Sequence, residues 1–168
     1  MIFKLTGIWR IIDMKYFKRI IFLAAACVWL AFIFSNSLKP SKVSQNQSDR
    51  YSNKITLFIN EHVSPSRPVS EETVSLIIRK TAHFTEFLIL GFLLSASAAS
   101  FVSARPAFII TLTAGAISAI SDEIIQLYVP GRACMVSDML IDFSGVLTAS
   151  LLLFFILRNK IKPRRTKL

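Results

Sequence analysis

The chain contains four apolar stretches without a charged residue, and this feature restricts its fold more than any other. They cover residues 20–38, 87–104, 106–121 and 143–157. A helix that crosses a bilayer needs about 20 mostly apolar residues, so the last three stretches must include polar neighbours to span it. With 53% hydrophobic and 18% charged residues, the chain has too little polar surface for an ordinary soluble domain. We therefore predict an all-α membrane protein, a bundle of four transmembrane helices with one outer loop that contains short helical segments.

Basic residues flank the apolar stretches. Five Lys or Arg residues precede residue 20, and six follow residue 157. Because such residues are retained in the cytoplasm, we predict a multi-pass protein of the cytoplasmic (inner) membrane with both termini cytoplasmic. The predicted parts are a basic N-terminal segment (1–19), the four-helix membrane domain (20–157) and a basic tail (158–168). Flanking positions also account for the net charge of +10, so we do not expect nucleic acid as a partner.

The N-terminal region leaves two alternatives open. The first apolar stretch, with its basic flank, could be a cleaved signal peptide instead of an anchor. Met14 could also be the true start of the protein. Neither alternative changes where the polar residues of the later helices lie.

The only long predicted loop covers residues 38–69 and is rich in Ser, Asn and Gln. It ends before Ser70, which can cap a helix whose first turn carries Glu71 and Glu72. Helix two is therefore expected to start in water and to enter the bilayer near His83.

Helices two to four must all be extended at the same end of the bundle, which is the outer end if the N-terminus is inside. The polar residues of these extensions are His83 and Glu86, then Asp122, Glu123 and Gln126, and finally Asp138 and Asp142. Ionisable residues are costly within a membrane span, so each needs a partner or a purpose. The sequence thus predicts a polar site at the outer end.

Helices three and four each carry one stripe of small and polar residues at helical spacing. The stripes are Gly115, Ala119, Asp122 and Gln126 on one helix, and Asp138, Asp142, Gly145 and Ala149 on the other. We expect the stripes to face each other with their carboxylates opposed, which requires a cation, a proton or a metal between them. The cationic candidates are Arg79, Lys80, His83 and Arg132.

The polar cluster has a functional and a structural interpretation. It could form a water-accessible pocket in which the acids and His83 move protons or hold a cation. It could equally be a buried ion-pair network that holds four short helices together. His83 and Glu86 with two aspartates also offer metal ligands, although no complete metal-binding spacing is present.

Two polar blocks resemble the VanZ-like family over about residues 20–157. The first is Lys80-x-x-His83-x-x-Glu86 with Gly91 following. The second is Asp122-Glu123-x-x-Gln126-x-x-x-Pro130-Gly131-Arg132, followed by Asp138, Asp142 and Gly145. Ser35-Asn36-Ser37 at the end of the first helix is similar too. The family often has Asn at the position of Asp142, so the charge balance of this site differs.

The resemblance implies a small polytopic membrane protein of the bacterial cell envelope, in a family whose namesake is associated with resistance to the glycopeptide teicoplanin. It implies no settled reaction. Catalysis therefore stays open, and no cofactor is expected.

Our first functional hypothesis is a protein that binds an amphiphilic molecule at the outer surface and reduces the effect of teicoplanin-like drugs. The partner would be a lipid-linked envelope precursor or a lipoglycopeptide, besides the lipid bilayer itself. The candidate ligand-binding residues are Lys80, Glu123, Gln126, Arg132 and Asp142.

The second hypothesis is a membrane enzyme that acts on a lipid-linked phosphate or sugar headgroup. His83 and Glu86 would be its acid and base, with Asp122 and Asp138 as their partners, and Arg132 or Lys80 would hold an anion. Proton-coupled transport ranks last, because the inner halves of the helices carry no charges to continue a relay.

Overall fold

The chain is built from five helices. The computed structural model describes residues 3–160, with side chains described for 16–158 except Lys18. The helices are α1 (Phe3–Ser37), α2 (Ser41–His62), α3 (Glu71–Phe101), α4 (Ala104–Leu127) and α5 (Val136–Lys160). Helix α1 includes most of the predicted N-terminal segment, and most of the predicted basic tail lies outside the described residues.

Four of the helices are long and apolar enough to cross a membrane. They are α1 from Arg19 to Ser37, the whole of α3 and α4, and α5 from Val136 to Arg158. Large apolar side chains on these helices face outwards, with Val28, Ile109 and Ile117 at least 60% exposed. In water this surface would be unfavourable, but in a bilayer it contacts lipid tails. The predicted four-helix membrane bundle is thereby confirmed.

The long connection between α1 and α3 contains one helix of 22 residues, where we predicted short helical segments. α1 ends at Ser37, and Pro40 precedes the first residue of α2, where a proline's missing N–H is tolerated. Only Ser48 and Ser52 of α2 are buried. Being four residues apart, they lie on one face, and that face packs on α3.

Side-chain hydrogen bonds attach α2 to the start of α3. The Ser52 hydroxyl donates to Glu71 (3.3 Å), and the Ser75 hydroxyl donates to Asp49 (3.2 Å). At the N-terminus of α3, Ser70 accepts a hydrogen bond from the backbone N–H of Thr73 at 3.3 Å, as predicted for a capping residue. Helix α2 therefore covers the polar first turns of α3.

Helix α3 contacts all four other helices and forms the centre of the bundle. The buried apolar cluster consists of Ile33, Phe87, Leu90, Ala119 and Val146, so it takes residues from α1, α3, α4 and α5. This cluster lies immediately below the polar end of the helices and fixes their spacing there.

Glycines set the closest approaches between helices. A Cβ atom on Gly145 would lie 2.5 Å from the backbone oxygen of Phe84, so α5 meets α3 backbone against backbone. At Gly115 of α4, by contrast, the side chain of Val146 occupies the space that a Cβ atom would take. The prediction that the two small-residue stripes face each other is therefore wrong in this part: Gly145 and Ala149 face α3, where Ala149 lies against Gly91.

The turn between α4 and α5 contains Pro130 and Gly131, which belong to the second polar block of the sequence. Gly131 has a φ of 75°, a left-handed conformation that glycine adopts without a steric cost. The backbone N–H of Ser41 donates to the carbonyl of Pro130 at 3.3 Å, which joins this turn to the start of α2. We call this end of the bundle the α2 end. The opposite end holds the short connection from α3 to α4, beside Arg19, whose guanidinium donates to the carbonyl of Ser100 (2.9 Å).

Candidate functional site

The polar residues singled out in the sequence all lie toward the α2 end of the bundle. Asp122, Glu123 and Gln126 come from the last turns of α4, and Asp138 and Asp142 from the first turns of α5. Helix α3 supplies His83 and Glu86 at the same level. The structure thus brings residues from three separate helices together, but it divides them into groups with different partners.

Asp122 is fully buried and well supplied with hydrogen bonds. The Ser37 hydroxyl donates to its Oδ1 at 2.6 Å, and the Gln126 amide donates to its Oδ2 at 3.0 Å. These bonds come from α1 and from the next turn of α4, and they fix the orientation of the carboxylate. A carboxylate can accept about four hydrogen bonds, so Asp122 retains lone pairs for another partner.

Glu123 holds the turn between α4 and α5. It is fully buried, and its Oε2 accepts the backbone N–H of Met135 at 2.8 Å, while its Oε1 accepts from Gln126 at 3.1 Å. The N–H of Met135 is thereby satisfied just before the first residue of α5. Glu123, a predicted ligand-binding residue, is therefore engaged in holding the backbone.

Asp142 and His83 form a close but incomplete pair. Oδ1 of Asp142 lies 3.3 Å from Nδ1 of His83, outside the geometry of a hydrogen bond. Asp142 is fully buried, and neither of its oxygens has a hydrogen-bond partner among the described residues. Buried polar groups in proteins are almost always hydrogen-bonded, so this carboxylate is exceptional.

His83, Asp122 and Asp142 converge on one point. One possible ligand atom from each lies within 4.8 Å of the other two. Within the described part of the chain, no Lys or Arg forms a salt bridge with either aspartate. We call these three residues the His–Asp–Asp cluster. It can hold a proton or a metal ion, which are the two species that reconcile opposed carboxylates at this distance.

Asp138 lies apart from this cluster. Its Oδ1 accepts from Nζ of Lys80 at 2.7 Å and from the Ser137 hydroxyl at 3.0 Å. The pair joins the start of α5 to α3 and is partly exposed. Lys80 is therefore bound to Asp138, whereas the second functional hypothesis expects Asp138 to serve His83 or Glu86.

Glu86 belongs to a polar group at the end of α1. Asn36 donates to Oε1 of Glu86 at 2.9 Å, and Nζ of Lys39 donates to the side-chain oxygen of Asn36 at 2.8 Å. The indole N–H of Trp29 donates to the backbone oxygen of Glu86 at 2.8 Å. Although His83 and Glu86 share a helical face, only His83 belongs to the His–Asp–Asp cluster.

Arg132 extends from the turn before α5 toward the start of α2. Its guanidinium donates to the Gln126 side chain (3.3 Å), to the carbonyl of Lys39 (3.2 Å) and to the Ser44 hydroxyl. Burial lowers the pKa of the Arg132 guanidinium from its ordinary value, and the charge of Arg79 lowers that pKa further, although nearby carboxylates act in the opposite direction. An arginine in a protein nonetheless stays protonated, so a positive charge persists there.

A cavity of about 240 Å³ lies between α1, α2 and α3 at the α2 end. Its lining includes the charged or titratable residues Lys39, Arg79, His83, Glu86 and Arg132 and the amide side chains of Asn36 and Gln47. Tyr51 and Ile78 add apolar surface. The cavity therefore combines three cationic side chains with one carboxylate and one imidazole, which suits an anionic group that is attached to an apolar chain.

Several residues that line the cavity are not among the site residues predicted from the sequence. Asn36 was noted only as part of the Ser35-Asn36-Ser37 resemblance, and Lys39 and Ser44 were not considered. A polar triplet at the end of an otherwise apolar helix is the signal that points to Asn36 and Ser37. Ser44 gives no such signal, because its position depends on how α2 packs.

Of three comparisons with known proteins, one identifies a family for this chain. A search of the curated proteins and a search of the solved structures each found no match. The family model described as VanZ/LLP1 matches residues 22–158, which include all four membrane-spanning helices from near the start of the first to the end of the last. This match covers well over half of the chain, and the chain therefore belongs to the VanZ/LLP1 family.

Proposed function

We propose that this membrane protein binds the anionic headgroup of an amphiphilic envelope molecule in the cavity at the α2 end. The observation that carries the proposal is the placement of Lys39, Arg79 and Arg132 around one cavity next to membrane-spanning helices. Arg132 forms no salt bridge among the described residues, so its charge is available to an incoming anion. A phosphate on a lipid-linked precursor has the matching charge, and its apolar chain could follow Ile78 and Tyr51.

The proposal places this cavity on the outer face of the bacterial cytoplasmic membrane. The support is the distribution of basic residues in the sequence, where segments 1–19 and 158–168 are strongly basic, together with the position of Arg19 beside Ser100 at the end opposite the cavity. At the outer face the protein would meet lipid-linked precursors of the cell wall. Binding them there would reduce access of teicoplanin-like drugs, which is how the protein would contribute to resistance.

A second candidate is a membrane enzyme that acts on the same headgroup. The observation that favours it is the double position of His83, which lines the cavity and also faces Asp142. An imidazole that faces a carboxylate and lines the cavity of a bound ligand can transfer a proton. Asp138 has no part in this version, because Lys80 holds it.

Binding can be tested with purified protein in nanodiscs and a polyprenyl phosphate as the probe. The Arg79→Ala variant removes one cavity charge without breaking a hydrogen bond found among the described residues. We expect it to bind the probe about 10–100 times more weakly, because a charge-assisted hydrogen bond contributes about 1.5–3 kcal/mol. Arg105→Ala, an exposed arginine at the opposite end, is the matched control and should bind like the wild type.

The outcomes separate the two candidates. Headgroup recognition would be refuted if Arg79→Ala bound the probe as tightly as the wild type and the wild type bound a phosphate-free polyprenol equally well. Conversion of the probe by wild type, lost in His83→Gln with binding retained, would favour the enzyme. Binding without conversion supports the first candidate.

A further inference from the structure

We infer that the His–Asp–Asp cluster is a binding site for a divalent transition-metal ion, with Zn²⁺ or Mn²⁺ as the fitting ions. The three side chains are His83 from α3, Asp122 from α4 and Asp142 from α5. They are separated widely in the chain and meet only in the folded bundle. The inference does not rest on the proposed function, because metal binding is a property of the protein alone.

The spacing of the three side chains fits a single ion. Each supplies one ligand atom, and these atoms lie within 4.8 Å of one another. Ligands that sit about 2.0–2.2 Å from a zinc ion are necessarily within about 4.4 Å of each other, so a small movement of the side chains closes the site. Three protein ligands leave a further position for water or a substrate group.

The strongest observation is the unpartnered carboxylate of Asp142. Both of its oxygens and Nδ1 of His83 are buried without a hydrogen-bond partner among the described residues, and Asp142 is 0% exposed. The charged group that faces Asp142 is His83, at 3.3 Å, and the fully buried Asp122 adds a second carboxylate, so even a protonated imidazole leaves one buried negative charge uncompensated. A bound divalent cation balances both carboxylates and gives the free oxygens of Asp142 a partner.

The neighbours of the cluster behave as supports for metal ligands. Ser37 and Gln126 hold the carboxylate of Asp122 with hydrogen bonds of 2.6 and 3.0 Å, which fixes its direction. Such outer hydrogen bonds are typical of metal sites, where they orient the ligating groups. Lys80, a competing cation on α3, is occupied by Asp138.

The ligand chemistry selects the ion. One imidazole nitrogen with two carboxylates suits Zn²⁺ or Mn²⁺, whereas Mg²⁺ prefers oxygen ligands and retains much of its water. Because His83 also lines the cavity, the ion would lie next to any bound headgroup. It would there supply positive charge to a phosphate oxygen.

The test uses full-length protein purified in detergent with a tag that contains no histidine. After removal of metal by a chelator, the protein is titrated with Zn²⁺, Mn²⁺ and Mg²⁺, and bound metal is measured by mass spectrometry and calorimetry. We expect one Zn²⁺ or Mn²⁺ per chain and much weaker binding of Mg²⁺. Loss of a residue that only supports a metal ligand typically weakens metal binding about 10–100-fold. His83→Ala and Asp142→Asn remove ligands themselves, so each should weaken binding by at least that factor.

The chain offers a matched control, because it contains only two histidines. His62 is exposed on α2, and His62→Ala should bind metal like the wild type. Melting curves provide a second readout: Zn²⁺ should raise the melting temperature of wild type and His62→Ala but not of Asp142→Asn. No metal bound by the wild type, or equal binding by wild type and Asp142→Asn, would overturn the inference.

Discussion

Nδ1 of His83 and Oδ1 of Asp142 lie 3.3 Å apart, because the backbones of α3 and α5 are in direct contact one turn away. Gly145 is one turn below Asp142, and the absence of a side chain there lets α5 rest on the backbone of Phe84 and Leu88. The position of a glycine thus determines which side chain of α3 faces the buried aspartate. The polar site and the apolar packing of the bundle are therefore coupled.

Gly145→Ala should destabilise the bundle and separate His83 from Asp142. The new methyl group would lie 2.5 Å from the backbone oxygen of Phe84. A flexible side chain could move away from this contact, but a backbone atom within a helix cannot. We expect a loss of about 1–3 kcal/mol, typical of an overpacked core, as measured by thermal or denaturant unfolding in detergent. Leu152→Ile, on an exposed position of α5, is the control and should leave stability unchanged.

Asp142→Asn should stabilise the protein when metal has been removed. The change deletes one of two opposed, fully buried carboxylates and keeps the size of the side chain. We expect a gain of about 1–3 kcal/mol, because the neutral amide is cheaper to bury than a carboxylate and is not repelled by Asp122. Asp138→Asn should instead destabilise the protein, because it weakens the 2.7 Å pair with Lys80. A loss of stability in metal-free Asp142→Asn would contradict the view that Asp142 lacks a partner.

Ser37→Ala should weaken the junction between α1 and α4. It removes the 2.6 Å hydrogen bond to Asp122 and leaves a buried carboxylate oxygen without its donor. The expected cost is about 1–3 kcal/mol in the free energy of unfolding. Ser35→Ala, two residues earlier and exposed, should have no measurable effect. If both variants unfold like the wild type, the hydrogen bond contributes nothing to stability.

The membrane spans are predictable from the sequence because the bilayer imposes one strong requirement, a long helix without uncompensated charge. Helix α2 is not predictable in this way. Its many Ser and Asn residues have modest helix propensity, and its helical form is supported by packing on α3 through Ser48 and Ser52.

The site shows the same division. Alternating helices bring His83, Asp122 and Asp142 to one end, so their convergence follows from chain topology. The choice of partners does not, because it depends on how each helix is rotated about its axis. Asp138 pairs with Lys80 while Asp142, one turn later on α5, faces His83. That rotation is set by the glycine contacts, which are visible only in three dimensions.

Loss of cavity charge should reduce the contribution to drug resistance. Cells that lack this protein are complemented with wild type, Arg79→Ala or Arg105→Ala, and the minimum inhibitory concentration of teicoplanin is measured at matched protein levels. We expect Arg79→Ala to resemble the deletion strain, since Arg79 lines the cavity. Arg105→Ala should resemble the wild type. Identical susceptibility of the deletion and complemented strains would remove teicoplanin resistance from the proposed function.

The orientation of the cavity can be measured with the chain's own cysteines. Cys134 lies in the turn before α5, close to Arg132, and Cys27 lies within the first span. A Cys27→Ser variant leaves Cys134 as the reporter for the α2 end. In a second variant, Cys27→Ser and Cys134→Ser are combined with Arg105→Cys, which reports on the opposite end.

Labelling of intact spheroplasts with a membrane-impermeant maleimide tests most directly whether the polar site faces outwards. We predict that Cys134 is labelled before lysis and that the Arg105→Cys reporter is labelled only after lysis. Labelling of the Arg105→Cys reporter in intact spheroplasts, with Cys134 protected until lysis, would place the cavity in the cytoplasm and contradict the proposed encounter with envelope molecules on the outer surface.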